Sequence, residues 1–170
     1  MLDSLTPAGA PYRAHEAEAI SRVAFATGTR ALKTPDECVV DAVFGKVEAD
    51  RHKLIVAEVK AREMELQQST AGRRLRDTNT GATFDTYLIS HNKVAGGLQL
   101  ANLLSCSFFV FVKLIGSDLI VYWKVSDPVV QHAIKRAVTA TRACVNGGTK
   151  SGENAFIPVS MMGILNEARL

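Results

Sequence analysis

The sequence is poor in cysteine and in aromatic residues, and it contains no long apolar run. Its three cysteines, Cys38, Cys106 and Cys144, are widely spaced and include no C-x-x-C pair, so neither a disulfide framework nor a zinc site is indicated. No stretch reaches the roughly 18 consecutive apolar residues of a membrane-spanning helix. The net charge of +3 permits a nucleic-acid partner without indicating one. These absences exclude disulfide-stapled and membrane-spanning classes of protein.

What remains is typical of one soluble globular domain. The 170 residues are 47% hydrophobic and 22% charged, a composition that supports an ordinary core without metals or disulfides as staples. We expect a single domain over residues 1–170, with a partly disordered lead-in over residues 1–12. The N-terminus has no basic region followed by an apolar stretch, so we expect a cytoplasmic protein that does not bind membranes and keeps its three cysteines as buried thiols.

Hydrophobic periodicity predicts a mixed α/β domain, with a mixed central β-sheet flanked by helices. In chain order we predict a helix over Arg13–Ala26, strands over Cys38–Val47 and Leu54–Ala61 that form a hairpin, a polar and basic excursion over residues 62–84, a helix over Asn92–Leu104, strands over Phe108–Ile115 and Leu119–Val125, a helix from Pro128 to about Cys144, and a last strand over Ala155–Ser160.

The helix over Asn92–Leu104 contains an unusual pair of glycines, Gly96 and Gly97. Each helical glycine costs about 1 kcal/mol relative to alanine, so we expect the backbone to approach a neighbour or a ligand closely there. We expect Leu100, Leu103 and Leu104 to face inward.

The residues that suggest chemistry are Asp41 on the first hairpin strand and Glu58 and Lys60 on the second. Side chains two apart on a strand share a face, and hairpin pairing can bring Asp41 beside them. Two carboxylates at such a separation suit Mg²⁺, and the lysine can orient or help deprotonate an attacking water. The alternative is an ordinary ion pair between Glu58 and Lys60 at the sheet rim.

In these elements the sequence resembles the PD-(D/E)xK nuclease superfamily, most closely its Holliday-junction-resolvase-like and phage-type members. The resemblance covers roughly Tyr12–Val125. The matching segments are a Glu-bearing first helix, Val40-Asp41, Ile55-Val-Ala-Glu58-Val-Lys60, a helix that opens with His91-Asn92-Lys93-Val94, and Phe156-Ile157-Pro158-Val159 as a terminal strand. Val40 stands where the family has its proline.

The resemblance implies a restriction-endonuclease-like core and a Mg²⁺-dependent endodeoxyribonuclease. Asp41, Glu58 and Val59 would hold Mg²⁺ (or Mn²⁺), and Lys60 would serve the attacking water. The first helix of such enzymes often adds a carboxylate, for which Glu16 and Glu18 are candidates. We favour Glu16, because it falls on the apolar face of the helix between Ile20 and Val23; the alternative is a glutamate at the rim of an amphipathic helix.

Several basic residues are candidates for contacts with DNA. Lys93 lies near a helix start, where its charge and the backbone amides can meet a phosphate, and we count it as catalytic as well. His91 could contact DNA or transfer a proton, or simply cap the helix. The scattered aromatics Tyr87 and Trp123 indicate no stacking platform for single strands, so contact with the nucleic-acid backbone is favoured. Phosphates could also be bound by Arg73, Arg74 and Arg76. The alternative is that these arginines belong to a solvated loop without a binding role.

Two other functional classes remain open. One is a non-catalytic nucleic-acid-binding or assembly module that retains the fold. The other is an unrelated α/β protein with a chance triplet, which would be supported if Asp41 and Glu58 lay far apart. A homodimer is a further option, for which the apolar stretch Val159–Leu165 is the one hint.

Overall fold

The computed structural model describes residues 10–48, 51–141 and 150–165. In these residues the helices are α1 (Ala10–Thr27), α2 (His91–Leu103) and α3 (Pro128–Ala133). The strands are β1 (Arg30–Lys33), β2 (Ala42–Glu48), β3 (Arg51–Arg62), β4 (Met64–Ser69), β5 (Gly72–Asp77), β6 (Thr83–Phe84), β7 (Thr86–Ser90), β8 (Ser107–Leu114), β9 (Leu119–Lys124), β10 (Lys135–Thr141), β11 (Lys150–Pro158) and β12 (Gly163–Ile164).

The centre of the fold is a six-stranded mixed sheet in the order β1-β2-β3-β8-β9-β12. The β3–β8 pair is parallel, and the other neighbours are antiparallel. Strand β3 lies in the interior, and its residues from Ile55 to Val59 are all buried, as its apolar sequence predicted. The predicted pairing of the two strands and the α/β class are therefore confirmed. The first strand begins at Ala42 rather than at Cys38, so Asp41 directly precedes the strand instead of lying on it.

The two faces of this sheet carry separate cores. On one face, α1 packs its buried residues Ala19, Ile20 and Val23 with Phe44 and other apolar residues. The other face is covered by α2 and by a three-stranded sheet in the order β10-β11-β7. A larger core lies there, with members that include Val56, Tyr87, Val94, Phe108, Trp123 and Ile157.

The polar stretch 62–84 is not an irregular excursion, because it forms the separate three-stranded sheet β4-β5-β6. The reason is that a few apolar residues alternate with polar ones along these strands, a pattern that the many polar residues around them obscure. Leu75 is fully buried, and Met64 and Leu66 pack against the main core. One apolar face is enough to hold such a ribbon against the domain.

The predicted helix from Pro128 to about Cys144 is wrong beyond Ala133. Asp127 caps α3 as expected, by accepting a hydrogen bond from the Val129 N–H at 2.9 Å. The chain then enters β10, which pairs along its length with β11. Pairing with β11, the next strand along the chain, overrode the local helical pattern.

Several expectations about single residues also change. Helix α1 begins at Ala10, so residues 10–12 belong to it, and residues 1–9 lie outside the described residues. Cys38 is exposed and Cys106 only partly buried, so the expectation of buried thiols is wrong for both; Cys144 lies outside the described residues. None of the described helices is long and apolar enough to cross a membrane.

The apolar surfaces expected from sequence differ in two places. Leu103 and Leu104 are exposed, and the inward residues of α2 are Val94, Gly97 and Ala101, with Leu100 only partly buried. The stretch Val159–Leu165 packs largely on the core of its own chain, since Val159 and Met162 are buried.

The close approach expected at the glycine pair is confirmed at both positions. A Cβ atom on Gly97 would lie 2.3 Å from the ring of Phe108, which is fully buried. A Cβ atom on Gly96 would lie 3.1 Å from Val39, which is half-exposed and can yield. Gly97 therefore allows α2 to lie directly on the sheet.

We expect Gly97→Ala to lower the free energy of unfolding by about 1–3 kcal/mol, because overpacking against Phe108 outweighs the gain in helix propensity. The matched control is Gly96→Ala, which we expect to change stability by less than about 1 kcal/mol. Urea denaturation of both variants measures the difference. Equal effects of the two substitutions would contradict this account of α2 packing.

Candidate active site

Asp41 directly precedes β2 and lies beside the part of β3 that carries Glu58. Ala42 pairs with Ala57, and the Asp41 N–H donates to the carbonyl oxygen of the same alanine at 3.0 Å, one residue out of the ladder register. The Asp41 carbonyl oxygen in turn accepts a hydrogen bond from the Thr34 N–H at 3.0 Å. The aspartate backbone is therefore held from both sides, and Lys60 follows Glu58 on the same strand face.

These three side chains form a compact ion network. The Lys60 Nζ atom lies 2.7 Å from Asp41 Oδ2 and 2.9 Å from Glu58 Oε1. The Val59 N–H donates a further hydrogen bond to Asp41 Oδ2 at 3.0 Å. Both carboxylates thus contact one ammonium, and the condition that would have supported a chance triplet, a large separation of Asp41 and Glu58, is not met.

A second ammonium reaches the same carboxylates from the first turn of α2. Lys93 Nζ lies 3.4 Å from Glu58 Oε2 and 3.7 Å from Asp41 Oδ1. It also donates to the Cys38 carbonyl oxygen at 3.2 Å. The structure therefore brings Lys93, a candidate from the sequence for contact with phosphate, together with the triplet.

Burial and neighbouring charges shift the pKa values of Glu58 and Asp41 in opposite directions. Glu58 is fully buried, and this burial raises its pKa despite the nearby Lys60. Burial would also raise the pKa of Asp41, but the Lys60 ammonium, the Val59 N–H and Lys93 outweigh it and hold that pKa below its usual value. Burial works against the charge of Lys60, yet Glu58 and Asp41 raise the lysine's pKa above its usual value, so Lys60 is an ammonium at neutral pH.

The two glutamates of α1 have different surroundings. Glu16 is half-buried, and its burial raises its pKa while the charges of Lys60 and Asp41 act on it in opposite directions. Glu18 is exposed and pairs with Arg22 at 3.4 Å and with the buried Lys113. Of the two, Glu16 is electrostatically coupled to the triplet, whereas Glu18 is committed to a different ion network.

The three arginines of the polar stretch lie on β5, and each has a protein partner. Arg73 donates to the Met162 carbonyl oxygen at 3.0 Å. Arg74 pairs with Asp85 at 2.8 Å and Arg76 with Glu65 at 2.9 Å. Binding of phosphate by Arg74 or Arg76 would therefore require an exchange of partners.

Two residues near the site were not singled out from the sequence. Arg62 follows Lys60 by two positions on β3, so the same alternation that linked Glu58 to Lys60 could have found it. The Tyr87 hydroxyl is buried without a hydrogen-bond partner, and no sequence pattern distinguishes it from a core aromatic. His91 is the first residue of α2, and its Nδ1 atom is likewise buried without a partner.

Mg²⁺ requires oxygen ligands, and the carboxylate oxygens of Asp41 and Glu58 can be compared with this requirement. Neither Glu58 oxygen accepts an aligned hydrogen bond, although both are buried and close to ammonium groups. Carboxylate oxygens left in this way fit a hard divalent cation. Val59 could contribute only its carbonyl oxygen, since its side chain is apolar and packed in the α1 core.

Within the described ranges, no group of three or more His, Cys, Asp or Glu is arranged to hold a metal. The carboxylate ligands available to a cation at this site are therefore those of Asp41 and Glu58.

Comparison with protein-family models and with curated proteins finds no match to this chain. The assignment of a function therefore depends on the geometry of the site.

We expect Lys60→Met to lower the free energy of unfolding at pH 7 by about 3–5 kcal/mol, because Glu58 stays buried with only Lys93 beside it. Loss of Lys60 also raises the pKa of Glu58 further, so the folded protein takes up a proton more readily. The deficit should therefore shrink as the pH falls from 7 to 5.

The control is Lys113→Met, which removes another buried lysine whose partners, Glu18 and Asp118, are both exposed. We expect it to cost about 1 kcal/mol or less, with little change between pH 7 and 5. Urea denaturation at both pH values makes the comparison. Similar losses in the two variants would show that Glu58 does not need Lys60 for its burial.

Proposed function

We propose that this protein is a metal-dependent nuclease with a restriction-endonuclease-like core, which hydrolyses phosphodiester bonds in DNA. The observation that carries the proposal is the juxtaposition of Asp41 and Glu58 around the Lys60 ammonium, at 2.7 and 2.9 Å. Two carboxylates can hold a divalent cation and a lysine can orient a water, which are functions that metal-assisted phosphodiester hydrolysis uses. The order of these residues along the chain also resembles that of the PD-(D/E)xK superfamily.

In this proposal Asp41 and Glu58 hold Mg²⁺ or Mn²⁺, with the Val59 carbonyl oxygen as a further ligand and Glu16 at the edge of the site. When bound, the ion supplies a Lewis acid that polarises the scissile phosphate. Burial of Glu58 keeps its carboxylate in one orientation, and the Val59 N–H does the same for Asp41. The protein thus presents preorganised oxygen ligands.

The two lysines act on the water and on the phosphate. Lys60 carries a proton, because the adjacent carboxylates raise its pKa, so its role is to donate hydrogen bonds that orient the water. Lys93 is partly exposed at the start of α2 and offsets the charge that develops on the phosphate oxygens. The water oxygen attacks phosphorus and loses a proton to solvent, while the bond from phosphorus to one sugar ester oxygen breaks in line with the attack and that oxygen takes up a proton from solvent.

The second candidate is a non-catalytic nucleic-acid-binding or assembly module. One observation favours it: Lys60 and Lys93 already balance the charges of both carboxylates without a cation. The two candidates differ in whether the carboxylates bind metal and whether DNA is cut.

We expect wild-type protein to cut at least one of four labelled DNAs (linear duplex, single strand, flap and four-way junction) with Mg²⁺ or Mn²⁺, and none with EDTA. Asp41→Asn and Lys60→Ala should reduce cleavage by about 100- to 1,000-fold or more, since each removes a group that acts in the transition state. Lys113→Met serves as the folded control. If the wild-type protein binds these DNAs without cutting any, the non-catalytic module is the better account.

Metal binding has its own readout in thermal unfolding. We expect millimolar Mg²⁺ to raise the Tm of the wild-type protein, and to raise that of Lys60→Met more, because the cation takes over the neutralising role of the missing ammonium. Asp41→Asn should lose the shift. A NaCl series at matched ionic strength corrects for screening. An equal shift in Asp41→Asn would place the metal elsewhere.

A further inference from the structure

A second concave site lies on the α1 face of the main sheet and runs from the amino ends of β3 and β8 to the middle of these strands. We call it the aromatic groove. Its volume is about 850 Å³. It lies between the end of α1 and the β8–β9–β12 side of the sheet, and the residues that define it are His52, Lys53, Phe109, Phe111, Tyr122 and Lys124.

Aromatic rings form the floor of the groove. Phe109 stacks on Phe111, with ring centroids 5.6 Å apart and ring planes only 10° from parallel. Tyr122 lies beside Phe109, with centroids 6.1 Å apart. Phe111 is buried, whereas Phe109 and Tyr122 are only partly covered. The floor therefore offers partly exposed rings held in place by a buried one, which is the arrangement on which a nucleic-acid base stacks.

Two lysines, Lys53 and Lys124, line the same groove as these rings. Lys124 lies directly opposite Phe109 in the β8–β9 ladder. Lys53 precedes Ile55 by two positions, and Ile55 is in register with Ser107 at the start of β8. Both lysines are exposed, and neither forms an ion pair with a carboxylate of the described chain. No Asp or Glu from the described ranges lines the groove, so its charge favours an anion.

We propose that the aromatic groove binds a single-stranded stretch of nucleic acid, with a base on Phe109 and the flanking phosphates at Lys53 and Lys124. The choice of nucleic acid as the ligand rests on the proposed function; the combination of rings and unopposed cations rests on the groove alone. The floor of the groove lies on the opposite face of the sheet from Glu58, since Phe109 and Phe111 are in register with Ala57 and Val59, the two neighbours of Glu58 on β3. The sheet therefore separates a strand bound in the groove from the scissile bond.

The test is fluorescence anisotropy of a labelled oligo(dT) 20-mer and of a labelled duplex of equal length, in EDTA so that no cleavage occurs. We expect Phe109→Leu, which keeps an apolar side chain but removes the ring, to weaken binding of oligo(dT) by about tenfold. Binding of the duplex should change less than twofold. An oligomer of abasic sites should bind wild-type and Phe109→Leu protein equally, because it has no base to stack.

The contribution of Lys53 and Lys124 to binding is tested with separate variants that leave the core intact. The double variant Lys53→Gln with Lys124→Gln should lower the dependence of log affinity for oligo(dT) on log salt concentration by about 1.4, at about 0.7 per phosphate contact on a single strand. The matched control neutralises Lys135 and Arg136, two exposed cations of β10 that do not line the groove. It should leave the salt slope unchanged.

Three results would overturn the inference. The first is unchanged oligo(dT) affinity in both Phe109→Leu and the double lysine variant. The second is equal loss of duplex and single-strand binding in Phe109→Leu. The third is conversion of a dimer to a monomer by Phe109→Leu in sedimentation, with no effect on binding, which would make this face a contact between copies of the chain.

The outcome is separable from that of the proposed nuclease. Binding of oligo(dT) is measured in EDTA and cleavage with Mg²⁺, and none of Asp41, Glu58 and Lys60 lines the groove. Loss of cleavage with intact groove binding would reject the nuclease alone, and metal-dependent cleavage with no effect of the groove variants would reject the groove alone.

Discussion

The burial of the Glu58 carboxylate is the constraint on which the rest of the site depends. An ionised carboxylate in the interior is costly unless positive charges and hydrogen-bond donors surround it. Lys60 meets this need from the same strand, and Lys93 meets it from α2. Lys93 reaches Glu58 only because α2 lies directly on the sheet, which the absence of a side chain at Gly97 permits against Phe108. Core packing and the electrostatics of the site are therefore parts of one arrangement.

Strand β3 links the two functional regions that we propose. Its side chains alternate between faces, so Glu58 and Lys60 belong to the α2 face, while Lys53 and Ile55 belong to the α1 face. The carboxylates and the rings of the aromatic groove lie at the same level of the sheet, because Phe109 and Phe111 are in register with Ala57 and Val59. The sheet can in this way present the proposed catalytic site on one face and the proposed binding surface on the other, without any hinge between them.

Local sequence pattern predicts the structure correctly where it agrees with the tertiary context. The buried strand around Glu58 and its hairpin with Asp41 could be predicted, because alternation and burial are properties of the strand itself. It failed at residues 135–141, where pairing with β11 overrode a helical pattern, and in residues 62–84, where a few apolar residues hold a sheet despite the polar majority. It also read the aromatic residues as scattered, since Phe109, Phe111 and Tyr122 meet only through the pairing of β8 with β9.

The amino-acid sequence by itself determined the α/β class, the hairpin, the Asp41, Glu58 and Lys60 constellation and the close packing of the glycine helix, because each depends on neighbours along the chain or on one strand pairing. Only the tertiary structure decided that Lys93 completes the ion network, that Arg73, Arg74 and Arg76 are already partnered, and that the aromatic rings line a basic groove. These features depend on contacts between elements far apart in the chain, and such contacts follow from the packing of the whole sheet rather than from any local periodicity.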